Sequence, residues 1–364
     1  IYGKTYLPRK FKMGICLPDD NCIDVYTHDL GMIAVVRDGE ITGVNMIVGG
    51  GQGITPANKR TFAALGEILA FVPWDQVVDV ATAIVKVQRD FGNRSDRKQA
   101  RLKYLLDQWG IEKFRAKVEE YHGHALAAPT DDDVTEADDH IGWQAQGDGR
   151  WCYGLNIENG RILDNTETKL KTALREICRR MSPGIRLTAH QSILFTDIEE
   201  ARKDELMSIL DEHQVVRSEA ISNARRWSMA CVALPTCGLS ITESERALPG
   251  MIDQIEVELA NRGLENEQFT IRMTGCPNGC ARPYNSDIGL VGKSKGKYTV
   301  LVGGSRLGHR LNQVFQDQVP SAEVASTLAP LFEYFKQDRE ESESFGDFCH
   351  RKGVENLQTY ASSL

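Results

Sequence analysis

The sequence predicts an α+β fold in which one module of mixed sheet and helices occurs twice, with a smaller strand-and-helix unit between the copies. Three observations lead to this prediction. Four short segments recur in the same order near the two ends of the chain, an acidic linker divides it, and strands alternate with helices in the part between. The length of 364 residues fits two or three domains.

The recurring segments keep their order over a stretch of comparable length in each copy. The matched pairs, first copy before second, are FKMGICLPDDNC (11–22) with IRMTGCPNGC (271–280), DLGM (29–32) with DIGL (287–290), VNMIVGG (44–50) with YTVLVGG (298–304), and VPWDQV (72–77) with VPSAEV (319–324). One such match could arise by chance, but four in order indicate a duplicated module of short strands followed by helices.

The acidic segment 125–140, ALAAPTDDDVTEADDH, has six acidic residues, a proline and few large apolar side chains. This composition is typical of a solvated tether. It separates a first repeat module, 1–124, from the rest of the chain. Residues 217–364 then form the second repeat module, which carries four closely grouped cysteines.

The intervening unit, 141–216, differs in pattern from both copies. It is expected to contain a strand at 151–157, a helix at 166–180, a strand at 185–195 and a helix at 199–213. This alternation indicates a small ferredoxin-like half-domain.

Composition excludes several functional classes. Lysine and arginine total 43 against 51 acidic residues, and the resulting net charge of −8 argues against a general nucleic-acid binder. No apolar run approaches the ~20 residues of a membrane span, so no membrane partner is expected. Nine cysteines are too few and too unevenly spaced for a disulfide scaffold. They favour a reducing, cytoplasmic compartment, where paired cysteines indicate metal or redox chemistry.

Two cysteine pairs carry the strongest chemical signal. Cys231 and Cys237 are spaced C-x5-C, and Cys276 and Cys280 are spaced C-x3-C, with proline and glycine around both pairs. Four thiolates together require a soft metal. Structural zinc usually uses tighter spacings, whereas an iron–sulfur cluster accepts wider loops. The alternative is four buried structural cysteines. Cys16 and Cys22 share the first spacing, but we expect them not to be ligands.

Two groups of cations suggest an anionic ligand. Lys10 and Lys12 would share one face of a predicted strand, where they either protect a sheet edge or bind an anion. Arg94, Arg97, Lys98 and Arg101 have the spacing of one helix face, which suits a polyanion or a solvated surface. An apolar stripe beside them is expected to face the core, and it consists of Leu102, Leu105, Leu106 and Trp109.

Together these residues resemble the sulfite/nitrite reductase hemoprotein family, and specifically its assimilatory sulfite reductases, from Tyr6 to about Gly353. The motifs that carry the resemblance are LPRKFK (7–12), GNRSDRKQARLKY (92–104), SMACVALPTCGL (228–239), TGCPNGCARPY (274–284) and FGDFCHR (345–351). The cysteine motifs with their flanks are the most specific of these, and the others support them.

The resemblance implies two cofactors. A [4Fe–4S] cluster would be held by Cys231, Cys237, Cys276 and Cys280, and a siroheme would share the thiolate of Cys280 through its iron. Siroheme carries eight carboxylates, so the grouped cations would bind and neutralise them. The residues implied to contact it are Arg94, Arg97, Lys98, Arg101, Asn278 and Cys280, and the implied active-site lysines are Lys10 and Lys12.

The implied activity is the six-electron reduction of sulfite to sulfide in sulfate assimilation, with ferredoxin or an NADPH-driven flavoprotein subunit as electron donor. Two alternatives remain open at this point: nitrite reduction to ammonia with the same cofactors, and a non-catalytic scaffold with zinc in the four-cysteine site.

The chain departs from the family pattern at its start. Family members have a ferredoxin-like half before the first repeat, which carries active-site arginines, whereas this sequence opens directly at the repeat. His190 stands where the corresponding first-half motif has arginine. We therefore expect the chain to hold the cluster more readily than siroheme, and full activity to need the absent residues.

Overall fold

The computed structural model describes residues 1–56 and 58–363. Within these ranges, three β-sheets and ten α-helices form two similar modules and a smaller unit between them. The α+β fold predicted from the sequence is confirmed. No helix among the described residues is both long and apolar enough to cross a membrane.

The first module has a four-stranded sheet with helices packed on one face. Its strands, in spatial order, are β1 (Met13–Cys16), β2 (Leu30–Arg37), β3 (Glu40–Val48) and β4 (Glu67–Pro73). Its helices are α1 (Val77–Phe91), α2 (Leu102–Trp109) and α3 (Ile111–His122). The predicted apolar stripe of α2 lies in this core, with Leu102, Leu105 and Leu106 buried.

The middle unit is a four-stranded antiparallel sheet covered by two helices. The strands are β5 (Gly142–Ala145), β6 (Trp151–Leu155), β7 (Gly184–Leu187) and β8 (Ile193–Ile198), in the spatial order β5-β6-β8-β7. The helices are α4 (Leu170–Met181) and α5 (Lys203–Glu212).

The single strand expected at 185–195 is wrong, because the chain reverses within it to form the β7–β8 hairpin. The Thr188 N–H donates to the Ser192 carbonyl at 3.0 Å, and the Ser192 N–H donates to Thr188 Oγ1 at 3.1 Å. Gln191 adopts a φ of 65° in this turn. These polar residues make a local turn that competes with a continuous strand.

The second module repeats the first. Its strands are β9 (Ser228–Ala230), β10 (Ile271–Thr274), β11 (Ile288–Ser294), β12 (Lys297–Val302) and β13 (Gln313–Pro320). Its helices are α6 (Asn223–Arg226), α7 (Leu248–Ala260), α8 (Val324–Asp338), α9 (Phe345–Lys352) and α10 (Val354–Ser362).

The strand register shows the duplication directly. In the first module β1 runs parallel to β2, with Met13 opposite Leu30, and Leu30 pairs with Val48 of antiparallel β3. In the second module β10 runs parallel to β11, with Ile271 opposite Ile288, which pairs with Val302 of antiparallel β12. The four sequence matches therefore mark equivalent strands, to which the second sheet adds β9.

The acidic segment 125–140 is not the solvated tether that its composition suggested. It contains no helix or long strand, but its polar groups are held by the modules on either side. The Asn45 side chain donates to the carbonyls of Thr130 at 3.0 Å and Asp132 at 2.8 Å. Asp139 is fully buried and accepts from Arg226 of the second module at 2.7 Å. Four of the six acids have donors outside the segment, so these parts of it pack against protein: Asp132, Asp133, Asp138 and Asp139 accept from Arg37, Tyr26, Gln144 and Arg226, respectively.

A buried charge network joins the two modules. Asp24, in the loop after β1, lies 2.6 Å from the Arg272 guanidinium and 2.8 Å from that of Arg282. Asn285 donates to the same carboxylate at 3.1 Å. Burial alone would raise the pKa of Asp24, but the two arginine charges outweigh it and hold the pKa below its ordinary value.

Replacing the carboxylate tests this network. Asp24→Asn leaves two guanidinium groups without their counter-charge, so the free energy of unfolding should fall by about 3–5 kcal/mol. The depressed pKa means that the stabilisation is present at neutral pH and is lost as the pH falls through the folded-state pKa. The difference from wild type should therefore shrink below about pH 4, near the unfolded-state pKa of aspartate.

Denaturant unfolding at several pH values measures both effects. Asp132→Asn is the matched control, because Asp132 pairs with the exposed Arg37 within the first module and its segment. It should change stability far less. Equal losses in the two variants would contradict a special role for Asp24.

Candidate metal centre and cationic cavity

The two cysteine pairs lie on neighbouring loops because of the strand order. Cys231 and Cys237 follow β9, whereas Cys276 and Cys280 follow β10, and these two strands are parallel neighbours. The ends of parallel strands meet at the same edge of a sheet. The Cys231 N–H donates to the Met273 carbonyl at 3.1 Å, which fixes the start of the first loop against β10. All four cysteines are free thiols.

The backbone around these sulfurs is shaped for thiolates. The Gly275 N–H donates to Cys231 Sγ at 3.4 Å. A Cβ at position 275 would lie 2.1 Å from Ser240 Oγ and 2.4 Å from the Thr242 carbonyl, so only glycine fits. Burial raises the pKa of the Cys276 thiol, the Asn278 N–H opposes this, and the other three cysteines raise it further. The four thiols are thus close enough to influence one another electrostatically.

The donor type and the loop spacing narrow the choice of metal group. Four thiolates on adjacent loops are a donor set for a soft metal. The C-x5-C spacing of Cys231 and Cys237 is wider than the two to four residues usual in structural zinc sites, whereas an iron–sulfur cluster accepts wider loops. The donor set and the loop spacing therefore fit an iron–sulfur cluster.

A cavity of about 480 Å³ opens next to Cys280, between the two modules. Cations from both modules line it, namely Arg9, Lys10, Lys12, Arg97, Lys98, Arg101 and Arg282. Asn278 also lines it, and no acidic residue is among the described residues that do. Such a cavity attracts anions strongly, because its charges act together in a partly desolvated space.

Lys10 and Lys12 reach this cavity, although not from a strand. The strand β1 begins only at Met13, so their predicted position within a strand is wrong. The Lys12 backbone N–H donates to Asp29 at 2.9 Å, and its carbonyl accepts from Leu30 at 3.1 Å, which fixes the segment. Desolvation lowers the pKa of Lys12, and the charges of Lys10 and Arg101 lower it further.

The two lysines also act on Cys280. Burial and the Cys231 thiol raise the pKa of Cys280, whereas Lys10 and Lys12 oppose that rise. The thiol that closes the second cysteine pair is therefore within electrostatic range of the cavity lysines. This arrangement connects the four-cysteine site to the anion cavity.

The predicted helical stripe of four cations does not exist. The helix α2 begins at Leu102, and only a short 3₁₀ turn, Arg97–Gln99, precedes it. Asn93 Oδ1 accepts from the N–H groups of Ser95 and Asp96, both at 3.0 Å, so side chains replace helical backbone hydrogen bonds. Arg97, Lys98 and Arg101 nevertheless line the cavity.

Arg94 lies elsewhere. Its guanidinium donates to the carbonyls of Tyr6 at 2.6 Å, Arg89 at 2.8 Å and Thr5 at 3.1 Å, and it is not among the residues that line the cavity. These contacts join the N-terminal segment, at Thr5 and Tyr6, to the C-terminal end of α1. The implied contact between Arg94 and a cofactor therefore has no support in the geometry.

Two cations of the cavity and one buried lysine were not among the site residues predicted from the sequence. Arg282 lies two residues after Cys280 and pairs with Asp24, and Arg9 precedes Lys10. Lys103 donates to the carbonyls of Gly51 at 2.9 Å, Gly53 at 3.0 Å and Phe62. Burial lowers the pKa of Lys103 to about 7, and Arg101 adds to the effect. The adjacent CARP and PRKF motifs could have indicated the two arginines.

The glycine-rich loop 49–53 joins the first module to the cysteine loops. A Cβ at Gly51 would lie 2.6 Å from the Arg101 guanidinium, and one at Gly53 would lie 3.3 Å from the Asn278 carbonyl. Just after the loop, the Ile54 N–H donates to the Pro277 carbonyl at 2.9 Å. The loop therefore lets two backbones approach closely beside the cavity.

A larger cavity, of about 750 Å³, lies between the middle unit and the second module. Its arginines are already neutralised, since Arg161 pairs with Glu245 at 2.7 Å and Arg225 with Glu158. None of the four cysteines lines it. The smaller cavity is therefore the candidate site, because its described lining combines seven cations and a thiol with no acidic residue.

Comparison with known proteins agrees with this geometry. The family model described as "Nitrite and sulphite reductase 4Fe-4S domain" matches residues 1–126 and 222–363. The model described as "Nitrite/Sulfite reductase ferredoxin-like half domain" matches residues 144–213. The matches therefore include both repeat modules and the unit between them.

Two curated relatives are similar over nearly the whole chain. A sulfite reductase [ferredoxin] of Synechococcus elongatus is 44% identical over 100% of this chain and 58% of its own length. A sulfite reductase [NADPH] hemoprotein beta-component of Staphylococcus haemolyticus is 43% identical over 97% of this chain and 62% of its own. The chain thus spans about 60% of the length of these relatives.

A solved structure, that of the Mycobacterium tuberculosis NirA protein, superposes on this chain with a TM-score of 0.81. The match has 29% sequence identity and covers 97% of this chain and 65% of that one. Because the first family model matches well over half of the chain, on both modules, this protein belongs to the nitrite and sulphite reductase family.

Proposed function

We propose that this chain forms the catalytic core of a sulfite reductase, which reduces sulfite to sulfide with six electrons. One observation carries the proposal: Cys280, the last of four grouped cysteines, borders a cavity lined by seven cations. A redox cluster bound by these thiols would therefore share one residue, Cys280, with an anion-binding cavity. The names of the two curated relatives support sulfite as the substrate.

The residues fit the two cofactors that the family resemblance implies. Cys231, Cys237, Cys276 and Cys280 would hold a [4Fe–4S] cluster, because they are four free thiols on adjacent loops and the first pair has a wider sequence spacing than structural zinc sites usually have. Arg97, Lys98, Arg101 and Asn278 would contact siroheme, since they line the cavity. When bound, these groups would supply single electrons and an iron centre at which sulfite is reduced.

The cavity cations would bind and orient the substrate. Sulfite carries up to two negative charges, and the ammonium groups of Lys10 and Lys12 together with Arg282 offset them in a partly desolvated space. Arg101 is held in place by the fully buried Asp29, at 2.6 Å. This support keeps its guanidinium at the cavity wall.

Lys12 would also deliver protons. Each S–O bond that breaks needs protons so that the oxygen can leave as water. A lysine whose pKa is lowered by desolvation and by neighbouring cations releases its proton more readily than one with the ordinary lysine pKa. Solvent next to the exposed Lys10 can restore that proton.

The electron donor is a protein that delivers one electron at a time. The relatives' names include both a ferredoxin-dependent and an NADPH-dependent enzyme at nearly equal identity, 44% and 43%. Similarity therefore does not discriminate between the two donor classes, and assays with each donor would do so.

Metal analysis of cysteine variants tests the cluster assignment. After anaerobic reconstitution with iron and sulfide, the wild-type chain should hold about four irons and four sulfides. Cys237→Ser and Cys276→Ser should lose most of both, because each removes a thiolate ligand. Cys178→Ser is the matched control, since Cys178 is an exposed free thiol outside the site. Bound zinc without sulfide in the wild type would contradict the proposal.

Two substitutions at Lys12 separate its charge from its proton. Lys12→Arg keeps the positive charge but cannot release a proton, so kcat for sulfite should fall on the order of 10²-fold or more. Lys12→Met also removes the positive charge, so it should in addition raise the KM for sulfite. Turnover is measured in the cofactor-loaded protein with a reduced viologen, and Lys171→Met on α4 serves as control.

The pH profile gives an independent readout of the same role. Because the pKa of Lys12 is lowered, wild-type activity should begin to fall at a pH below the usual lysine value of about 10.4. Lys12→Arg should lack that alkaline decline. Full activity in Lys12→Arg with an unchanged profile would exclude proton delivery by Lys12.

A further inference from the structure

A second group of metal-ligating side chains lies outside the redox site. A carboxylate oxygen of Asp20, the Cys22 sulfur and a ring nitrogen of His140 all lie within 4.8 Å of one another. We propose that these three residues form a binding site for a divalent transition metal of the zinc class, distinct from the four-cysteine centre. The proposal does not depend on the function proposed above.

The donor set is the first argument. One thiolate, one imidazole and one carboxylate are the three ligand types that zinc takes in proteins. The three side chains come from two distant parts of the sequence, the loop after β1 and the end of segment 125–140. Three protein ligands leave one tetrahedral position for water.

An unsatisfied atom is the second argument. Asp20 Oδ1 is buried and has no hydrogen-bond partner, while Oδ2 lies 3.4 Å from His140 Nε2. A buried carboxylate oxygen without a partner is costly unless something else occupies its lone pairs. A metal ion bound by both carboxylate oxygens of Asp20 would satisfy Oδ1 as well as Oδ2.

The surroundings of His140 are the third argument. Its other ring nitrogen, Nδ1, lies 3.5 Å from Asp138. A carboxylate behind a metal-bound imidazole is a common arrangement, because it fixes the ring and increases its basicity. The side chains of His140 and Asp20 are 23% and 31% exposed, which leaves a path for an ion from solvent.

The site would fasten the acidic segment to the first module. The Asn21 N–H already donates to the Glu136 carbonyl at 3.1 Å, and the Cys22 carbonyl accepts from Arg282 at 3.2 Å. A metal on Cys22 would therefore stabilise the loop that supports a cation of the redox cavity. This proposal reverses the expectation from the sequence that Cys22 is not a ligand. Local spacing cannot predict the site, because its three ligands lie up to 120 residues apart.

Zinc stoichiometry tests the proposal in protein that already holds its cluster. The chain is first reconstituted with iron and sulfide, loose metal is removed with a chelator, and the protein is dialysed anaerobically against zinc. Wild type should retain about one zinc per chain in addition to its iron. Cys22→Ser and His140→Gln should each lose that zinc with unchanged iron and sulfide, whereas Cys178→Ser should keep it.

X-ray absorption at the zinc edge identifies the ligands. The proposal predicts one sulfur at about 2.3 Å and nitrogen or oxygen neighbours at about 2.0–2.1 Å. Four sulfurs would mean that zinc had entered the cluster site, and would overturn the proposal. Absence of bound zinc in the wild type, or equal zinc in Cys22→Ser and His140→Gln, would overturn it as well.

Discussion

The architecture of the site depends on one buried carboxylate. Asp24 belongs to the first module, and its partners Arg272 and Arg282 belong to the second. A buried charge of either sign is unfavourable alone, so the modules are most stable when their surfaces bring these groups together. Arg282 also faces the cavity. The interaction that joins the modules thus places one of the cavity cations.

The cavity forms where loops of the two copies meet. The loops after the equivalent strands β1 and β10 face each other, and Asp24 of the first pairs with Arg282 of the second. The second loop also carries Cys276 and Cys280, whereas Lys10 and Lys12 reach the cavity from the segment before β1. The glycine-rich loop lets the two backbones meet without side chains between them. Positions that are not equivalent in the two copies therefore bring cations and thiols together.

Residue spacing and internal repetition correctly predicted the features that depend on local sequence, namely the duplicated strands and the cysteine loops. The four matched segments fall on equivalent strands, and the cysteine pairs lie on adjacent loops as their proline and glycine flanks suggested. The helix predicted from the spacing of Arg94 to Arg101 does not form, because the side chains of Asn93 and Asp96 accept backbone hydrogen bonds that stabilise turns there. The prediction that segment 125–140 is a solvated tether is wrong because the segment contacts residues that lie far away in sequence, such as Asn45 and Arg226. Partners of this kind leave no local pattern.

Cys280 would connect the cluster site to the cationic cavity, so that the two form one redox centre. Anomalous diffraction at the iron edge, from crystals of the chain loaded with both cofactors, locates every iron atom. We expect four irons among Cys231, Cys237, Cys276 and Cys280, and a fifth in the cavity beside Lys10, Lys12 and Arg101. Iron confined to a position away from Cys280, or a single metal ion among the four cysteines, would contradict this proposal.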